Sequence, residues 1–223
     1  MTTDTYTEPA GLNPRGTLVV LPGRGERPGV YARFGRRLAA DAYRVHVLDD
    51  EAEIKALLDR NPPTPVVLVG SDTGALQALR LAAGTVVVDG LVLAGLPDAE
   101  STVEVDAAAE PELRASCPGH QNLLRDKDLF QAGTLGSIEV EPVDIAAVTV
   151  PVLGLHGDND PISPVDRARA RYAALPGAQL ATVADGRHDV LNAAQHRSVA
   201  ATVVLFLERL RLGPELPVVV NPA

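Results

Sequence analysis

At 223 residues with 46% apolar side chains, the chain has the length of one domain, or one domain with a small insertion, and ample material for a core, which excludes wholesale disorder. A formal net charge of −9 argues against nucleic-acid binding through phosphate neutralisation. One cysteine makes no internal disulfide, the N-terminal MTTDTYTEPAGLNPRG lacks the basic-then-apolar pattern of a signal peptide, and no apolar run reaches the roughly 18 residues of a membrane helix. The expectation is a soluble cytoplasmic protein with no membrane span and no nucleic-acid partner.

The first fifteen residues are polar, with Pro and Gly, and read as a loose lead-in. Short Val- and Leu-rich runs follow at Thr17–Leu21, Val45–Leu48, Val66–Val69, Val86–Leu93, Val150–Leu155 and Gln179–Val183. Uniformly apolar runs of this length suit strands buried on both faces of a parallel sheet. Helical periodicity fills the gaps: Val30–Asp41, Glu51–Arg60, an apolar Gly74–Ala83, Pro164–Leu175 and His196–Arg211. The alternation predicts an α/β domain with a mostly parallel sheet of about six strands flanked by helices.

One stretch breaks the rhythm. From Asp98 to Val148 the chain is acidic and irregular, with helical pieces expected only around Pro111–Ala115 and Gln121–Phe130. Leu113, Leu123, Leu124 and Phe130 give it apolar contacts of its own, so it reads as a small helical cap, 98–148, inserted into a core of 1–97 and 149–223.

The most informative segment is VVLVGSDTGALQALRLAAG, an apolar run that passes through Gly70-Ser71-Asp72-Thr73-Gly74 into an apolar helix. This is the context of a nucleophile elbow, Gly-x-nucleophile-x-Gly, where a sharp strand-to-helix turn lifts one side chain above the sheet. Asp72 has glycine two residues away on both sides; centring on Ser71 would place Val69 and Thr73 at those crowded positions. Asp72 is therefore the candidate nucleophile, with Ser71 beside it as a candidate pocket residue. The bland alternative is an ordinary glycine-containing strand–helix turn.

Two downstream segments weigh against that alternative. PVLGLHGDNDPISP runs from an apolar strand into two carboxylates, Asp158 and Asp160, and ADGRHD carries His188 between the last apolar strand and the last helix. Nucleophile, acid and histidine thus come in the chain order of the α/β-hydrolases. The chemistry asks for that set: a carboxylate orients one imidazole nitrogen, and the other faces the nucleophile or a water.

From Thr17 to Arg211 the chain resembles a compact α/β-hydrolase, close to the small bacterial lysophospholipase-like hydrolases. Leu21-Pro22-Gly23-Arg24-Gly25 resembles the family's oxyanion loop, with Pro22 in place of the usual His, which implies the backbone N–H groups of Arg24 and Thr73 as oxyanion donors. GDNDPISP resembles the family's G-x-x-D-x-x-x-P acid loop and implies Asp160; ADGRHD resembles its histidine loop and implies His188. The resemblance thus implies a hydrolase of a small organic substrate that works through Asp72, His188 and Asp160, by way of an alkyl- or acyl-enzyme on Asp72, and needs neither cofactor nor metal. Aspartate in place of serine resembles the haloalkane dehalogenase and epoxide hydrolase branches, where the carboxylate displaces at saturated carbon and a histidine-activated water cleaves the ester. The chain departs from both branches: it has no tryptophan to hold a halide, and Tyr6, Tyr31, Tyr43 and Tyr172 all fall outside the cap. That departure keeps a second expectation open, a non-hydrolytic protein (cyclase, isomerase or ligand binder) in which Asp72 is a base or a polar anchor.

The remaining candidates are Arg24, as a guanidinium that meets an anionic substrate at the cleft mouth or as a solvated loop arginine; Tyr31, as pocket lining or packing; and Cys117 with His120, as cleft-facing cap residues or structural ones. As metal ligands Cys117 and His120 are too few, since zinc wants three or four. A dinucleotide fingerprint is absent, because Gly23-Arg24-Gly25-Glu26-Arg27-Pro28 puts proline at the third glycine.

Overall fold

A computed structural model describes residues 4–84 and 86–221. The strands are β1 (Asp4–Tyr6), β2 (Thr17–Leu21), β3 (Arg44–Val47), β4 (Val66–Ser71), β5 (Gly90–Ala94), β6 (Val152–Gly157) and β7 (Gln179–Val183). They form one sheet in the order β1-β3-β2-β4-β5-β6-β7. Every pairing is parallel except β1 with β3. The helices are α1 (Ala32–Ala40), α2 (Glu51–Leu58), α3 (Thr73–Gly84), α4 (Glu110–Arg114), α5 (Pro118–Leu123), α6 (Val165–Ala174) and α7 (His196–Leu210).

The apolar runs become strands because helices cover both faces of the sheet. Along β2, Leu18 and Val20 join a core with Phe34 and Leu38 of α1 and Val203 and Phe206 of α7. Val19 and Leu21 point the other way, into a second core with Ile54 of α2, Ala75 and Leu79 of α3 and Tyr172 of α6. A two-residue period with both faces buried yields an unbroken apolar string.

The sheet differs from expectation at its edges. The lead-in contains β1, which pairs antiparallel with β3 through Asp4–Val47 and Tyr6–Val45, so the described residues form seven strands where about six were expected. β1 is a three-residue edge strand in which only Tyr6 packs on the core, too short to leave a periodic apolar signature. The run predicted from Val86 starts as a strand only at Gly90; Val87 is 95% exposed.

The chain turns from β3 back across β2 to β4, so β2 and β4 flank the point where the winding reverses. Crevices at such a point, beyond the carboxyl ends of the strands, are where open α/β sheets place their sites. The loop after β2 carries Arg24, and the turn after β4 carries Asp72. Between β5 and β6 run α4, α5 and much irregular chain. This segment is tied to the loop after β2 by an antiparallel bridge between Glu26 and Phe130, with Arg27 N–H donating to Leu129 O at 3.0 Å and Gln131 N–H to Gly25 O at 2.8 Å.

Candidate active site

Asp72 sits between the last residue of β4 and the first of α3 with φ +50°, a left-handed conformation that costs a non-glycine residue energy. The flanking glycines are there by necessity. A Cβ on Gly70 would lie 2.3 Å from Gly74 O, and one on Gly74 would lie 2.1 Å from Leu21 O. The turn is therefore as tight as the sequence spacing implied, and its apex is Asp72.

β6 and β7 deliver the other two groups. His188 Nδ1 lies 2.8 Å from Asp160 Oδ2, and His188 Nε2 lies 3.1 Å from Asp72 Oδ1. Asp160 is held in turn: its Oδ1 accepts from the N–H of Ile162 (2.8 Å) and of Ser163 (3.0 Å). His156 Nε2 stands 3.2 Å from Asp160 Oδ2 and 2.6 Å from Ser163 O. The sequence assigned His156 no role beside Asp160, although its i, i+4 spacing to Asp160 within HGDND was visible.

Arg24 takes up both oxygens of Asp72. Its backbone N–H donates to Oδ2 at 3.0 Å, its Nε to Oδ2 at 2.8 Å and its Nη2 to Oδ1 at 2.9 Å. Nη1 donates to Ser101 O and Ser137 O, each at 3.1 Å, both in the β5–β6 segment. The guanidinium thus turns inward onto Asp72 instead of standing free at a cleft mouth. Thr73, the other expected oxyanion donor, is the first residue of α3, directly after Asp72.

A second cation backs this pair. Arg114 of α4 is fully buried; its Nη1 is 3.9 Å from Asp72 Oδ2 and 3.6 Å from Glu26 Oε1, and its Nη2 is 2.8 Å from Glu110 Oε1. Its guanidinium lies 4.9 Å from the centre of the Phe130 ring. Sequence reading missed Arg114, although Glu110 and Arg114 stand at i, i+4, the spacing of a helical ion pair.

The other sequence candidates lie around this cluster. Tyr31 is fully buried beneath the loop after β2, and its hydroxyl donates to Glu26 Oε2. Ser71 ends β4 opposite Ala94 and is buried. His120 is buried with Nε2 2.7 Å from Asp189 Oδ2. Cys117 precedes α5 and accepts from Arg33 Nη1 at 3.4 Å. The structure brings Asp72, His188, Asp160 and Arg24 into contact; Tyr31, His120 and Cys117 are engaged with other partners.

The charges decide the protonation state. Burial alone would raise the Asp72 carboxyl, but the close approach of His188, followed by the hydrogen bonds and charge of Arg24, holds it well below the usual carboxylate range. Asp160 is likewise depressed, burial being outweighed by the charge of His188 and by His156 beside it. For His188, burial works downward, and Asp160 and then Asp72 overcome it and push the imidazole up to about 10. At neutral pH the resting site is therefore carboxylate, imidazolium, carboxylate, with Arg24 across the first.

Residues 135–215, which include Asp160 and His188, match a family profile described as TAP-like protein. No curated protein matches the chain in sequence. Among solved structures, the esterase from Exiguobacterium antarcticum superposes with a TM-score of 0.71 at 18% identity, covering 92% of this chain and 94% of that one. A monoacylglycerol lipase from Paleococcus ferrophilus gives 0.71 at 14% identity over 95% and 98% of the two chains. A bromoperoxidase from Bacillus anthracis gives 0.69 at 17% over 92% and 94%. With a mostly parallel seven-stranded sheet, helices on both faces and these neighbours over nearly its whole length, the chain has the α/β-hydrolase fold.

Proposed function

We propose that the chain is a cofactor-independent hydrolase of a small organic substrate, with Asp72 as nucleophile, His188 as base and Asp160 as the group that orients His188. The observation that carries this reading is the asymmetry of the Asp72 carboxylate. Oδ2 rests on the backbone N–H of Arg24 at 3.0 Å, while Oδ1 faces His188 Nε2 at 3.1 Å. Oδ1 is then the attacking atom, and Oδ2 is already seated where negative charge develops in the second step.

In the first step Oδ1 bonds to a saturated carbon and the leaving group departs with the bonding pair, forming an alkyl ester on Asp72. Arg24 Nη2 must leave Oδ1 for this to happen. Its guanidinium then stands beside the reacting carbon as a cation that takes up charge on the leaving group. Esterification removes the Asp72 charge, one of the two influences that keep His188 protonated, so His188 can lose its proton and serve as base. In the second step Nε2 takes a proton from water, and the water oxygen adds to Cγ. Oδ2 carries the charge against the N–H groups of Arg24 and Thr73. Collapse breaks the Cγ–Oδ1 bond, His188 returns the proton to the product alcohol, and Asp72 keeps the oxygen from water.

The replacement His188→Gln should stop the sequence after the first step. Intact mass of that variant after exposure to a panel of epoxides and alkyl halides should show one added substrate residue, mapped to the peptide holding Asp72. No adduct across the panel, with the wild type equally inert, would overturn the reading.

A second reading rests on the Arg24 clamp. With both carboxylate oxygens engaged and Asp72 only 1% exposed, the pair also suits a non-hydrolytic protein in which Asp72 is a polar anchor. Failure of the trapping experiment together with a fully folded protein is the result that favours it.

A further inference from the structure

A cavity of about 550 Å³ opens on the β5–β6 segment, and Asp72, His188 and Asp160 are not among the residues that line it. Its volume falls within the range of roughly 300–1,000 Å³ usual for small-ligand sites. Pro111, Leu124 and Phe130 supply an apolar floor together with small alanine side chains, and the rim carries Arg27, Arg125 and Lys127. The walls are fixed. The bridge between Glu26 and Phe130 joins the two sides, and the Arg114 guanidinium holds the back of the Phe130 ring at 4.9 Å.

The rim is the unusual part. In a chain with a net charge of −9, three cations gather on one opening. Arg125 is occupied: it pairs with Glu112 and donates to Asn122 Oδ1. Among the described residues, no carboxylate forms an ion pair with Arg27 or Lys127, and both are exposed. Two exposed cations above an apolar floor complement a molecule with a negative head and a hydrocarbon body. A small inorganic anion would leave the floor unused, and a cationic amphiphile would meet like charge at the rim.

We propose that this cavity binds a free amphipathic carboxylate, its chain on Pro111, Leu124 and Phe130 and its head between Arg27 and Lys127. None of Asp72, His188 and Asp160 would touch the bound molecule.

Calorimetric titration of the full chain tests it, with octanoate, acetate and octylammonium as probes. Octanoate should bind saturably at one site, acetate should show no binding, and octylammonium should bind at least about tenfold more weakly. The double replacement Arg27→Gln/Lys127→Gln, on exposed side chains, should weaken octanoate roughly tenfold while leaving the thermal unfolding midpoint in place. Filling the cavity with Ala108→Trp should abolish binding, and Asp72→Asn should leave it unchanged, which separates this site from the proposed active site. Equal affinity for octylammonium, unaltered binding in Ala108→Trp, or loss of binding in Asp72→Asn would each overturn the proposal. So would failure to bind octanoate together with sedimentation on phosphatidylglycerol vesicles that requires Arg27 and Lys127, which would make the face a lipid contact.

Discussion

The guanidinium of Arg24 lies flat against the carboxylate of Asp72, with Nε 2.8 Å from Oδ2 and Nη2 2.9 Å from Oδ1, and the two side chains are 8% and 1% exposed. A bidentate pair this deeply buried fixes the elbow side chain in one pose and covers both of its oxygens. Both consequences can be measured.

Arg24→Gln leaves a buried carboxylate without its main cationic clamp, although His188 and Arg114 remain near. Removing one partner of a buried pair costs about 3 kcal/mol or more. Urea unfolding of Arg24→Gln, Asp72→Asn and the double variant should show that the double variant loses less than the sum of the single losses. Additive losses would mean that the two side chains are not energetically coupled.

His188 gives a pH signature. Its folded value of about 10 lies above the unfolded value of about 6.5, so the folded state holds a proton that the unfolded state releases between those limits. The stabilisation from His188 is therefore full below about pH 6.5 and is lost as pH rises through about 10. Asp72 and Asp160 have the opposite sense: depressed in the fold, they stabilise above the ordinary carboxylate range and lose that contribution in acid. The stability difference between wild type and His188→Gln should shrink steadily from neutral to alkaline pH. Imidazole nitrogen NMR should find His188 doubly protonated at pH 8. A neutral ring at that pH would contradict the charge assignment.

Asp72→Ser tests whether the remaining machinery is intact. It places a hydroxyl at the elbow near His188 Nε2 and releases the Arg24 N–H, now bound to Oδ2 at 3.0 Å, for an incoming oxyanion. Hydrolysis of p-nitrophenyl butyrate should exceed that of Asp72→Ala by about tenfold or more, the low end of what a positioned base contributes. Equal rates would favour the anchor reading of Asp72.

Much of this arrangement was legible in the sequence because it follows from local rules. Thr17–Leu21 and Gln179–Val183 are strands within the bounds their apolar runs suggest. The position of Asp72 followed from glycines whose Cβ atoms would strike Gly74 O and Leu21 O. What the sequence hid depends on distance or on too few residues to set a pattern. β1 is held by edge pairing with β3 and by the single ring of Tyr6 on the core, which three residues cannot announce as a pattern. The Arg24–Asp72 pair spans 48 residues and leaves no periodic trace. In the β5–β6 segment, α5 starts at Pro118, earlier than the apolar spacing around Gln121 suggested, because proline suits the first turn of a helix.

The central claim is that Asp72 attacks carbon and is then regenerated by water, and the destination of one oxygen atom tests it. Wild-type enzyme in excess over substrate, turned over once in ¹⁸O-labelled water, should release unlabelled product. The Asp72 peptide should gain about two mass units, because the product takes Oδ1 and the carboxylate keeps the oxygen from water. Label in the product with an unlabelled Asp72 peptide would show that water attacks the substrate directly and that Asp72 is not the nucleophile.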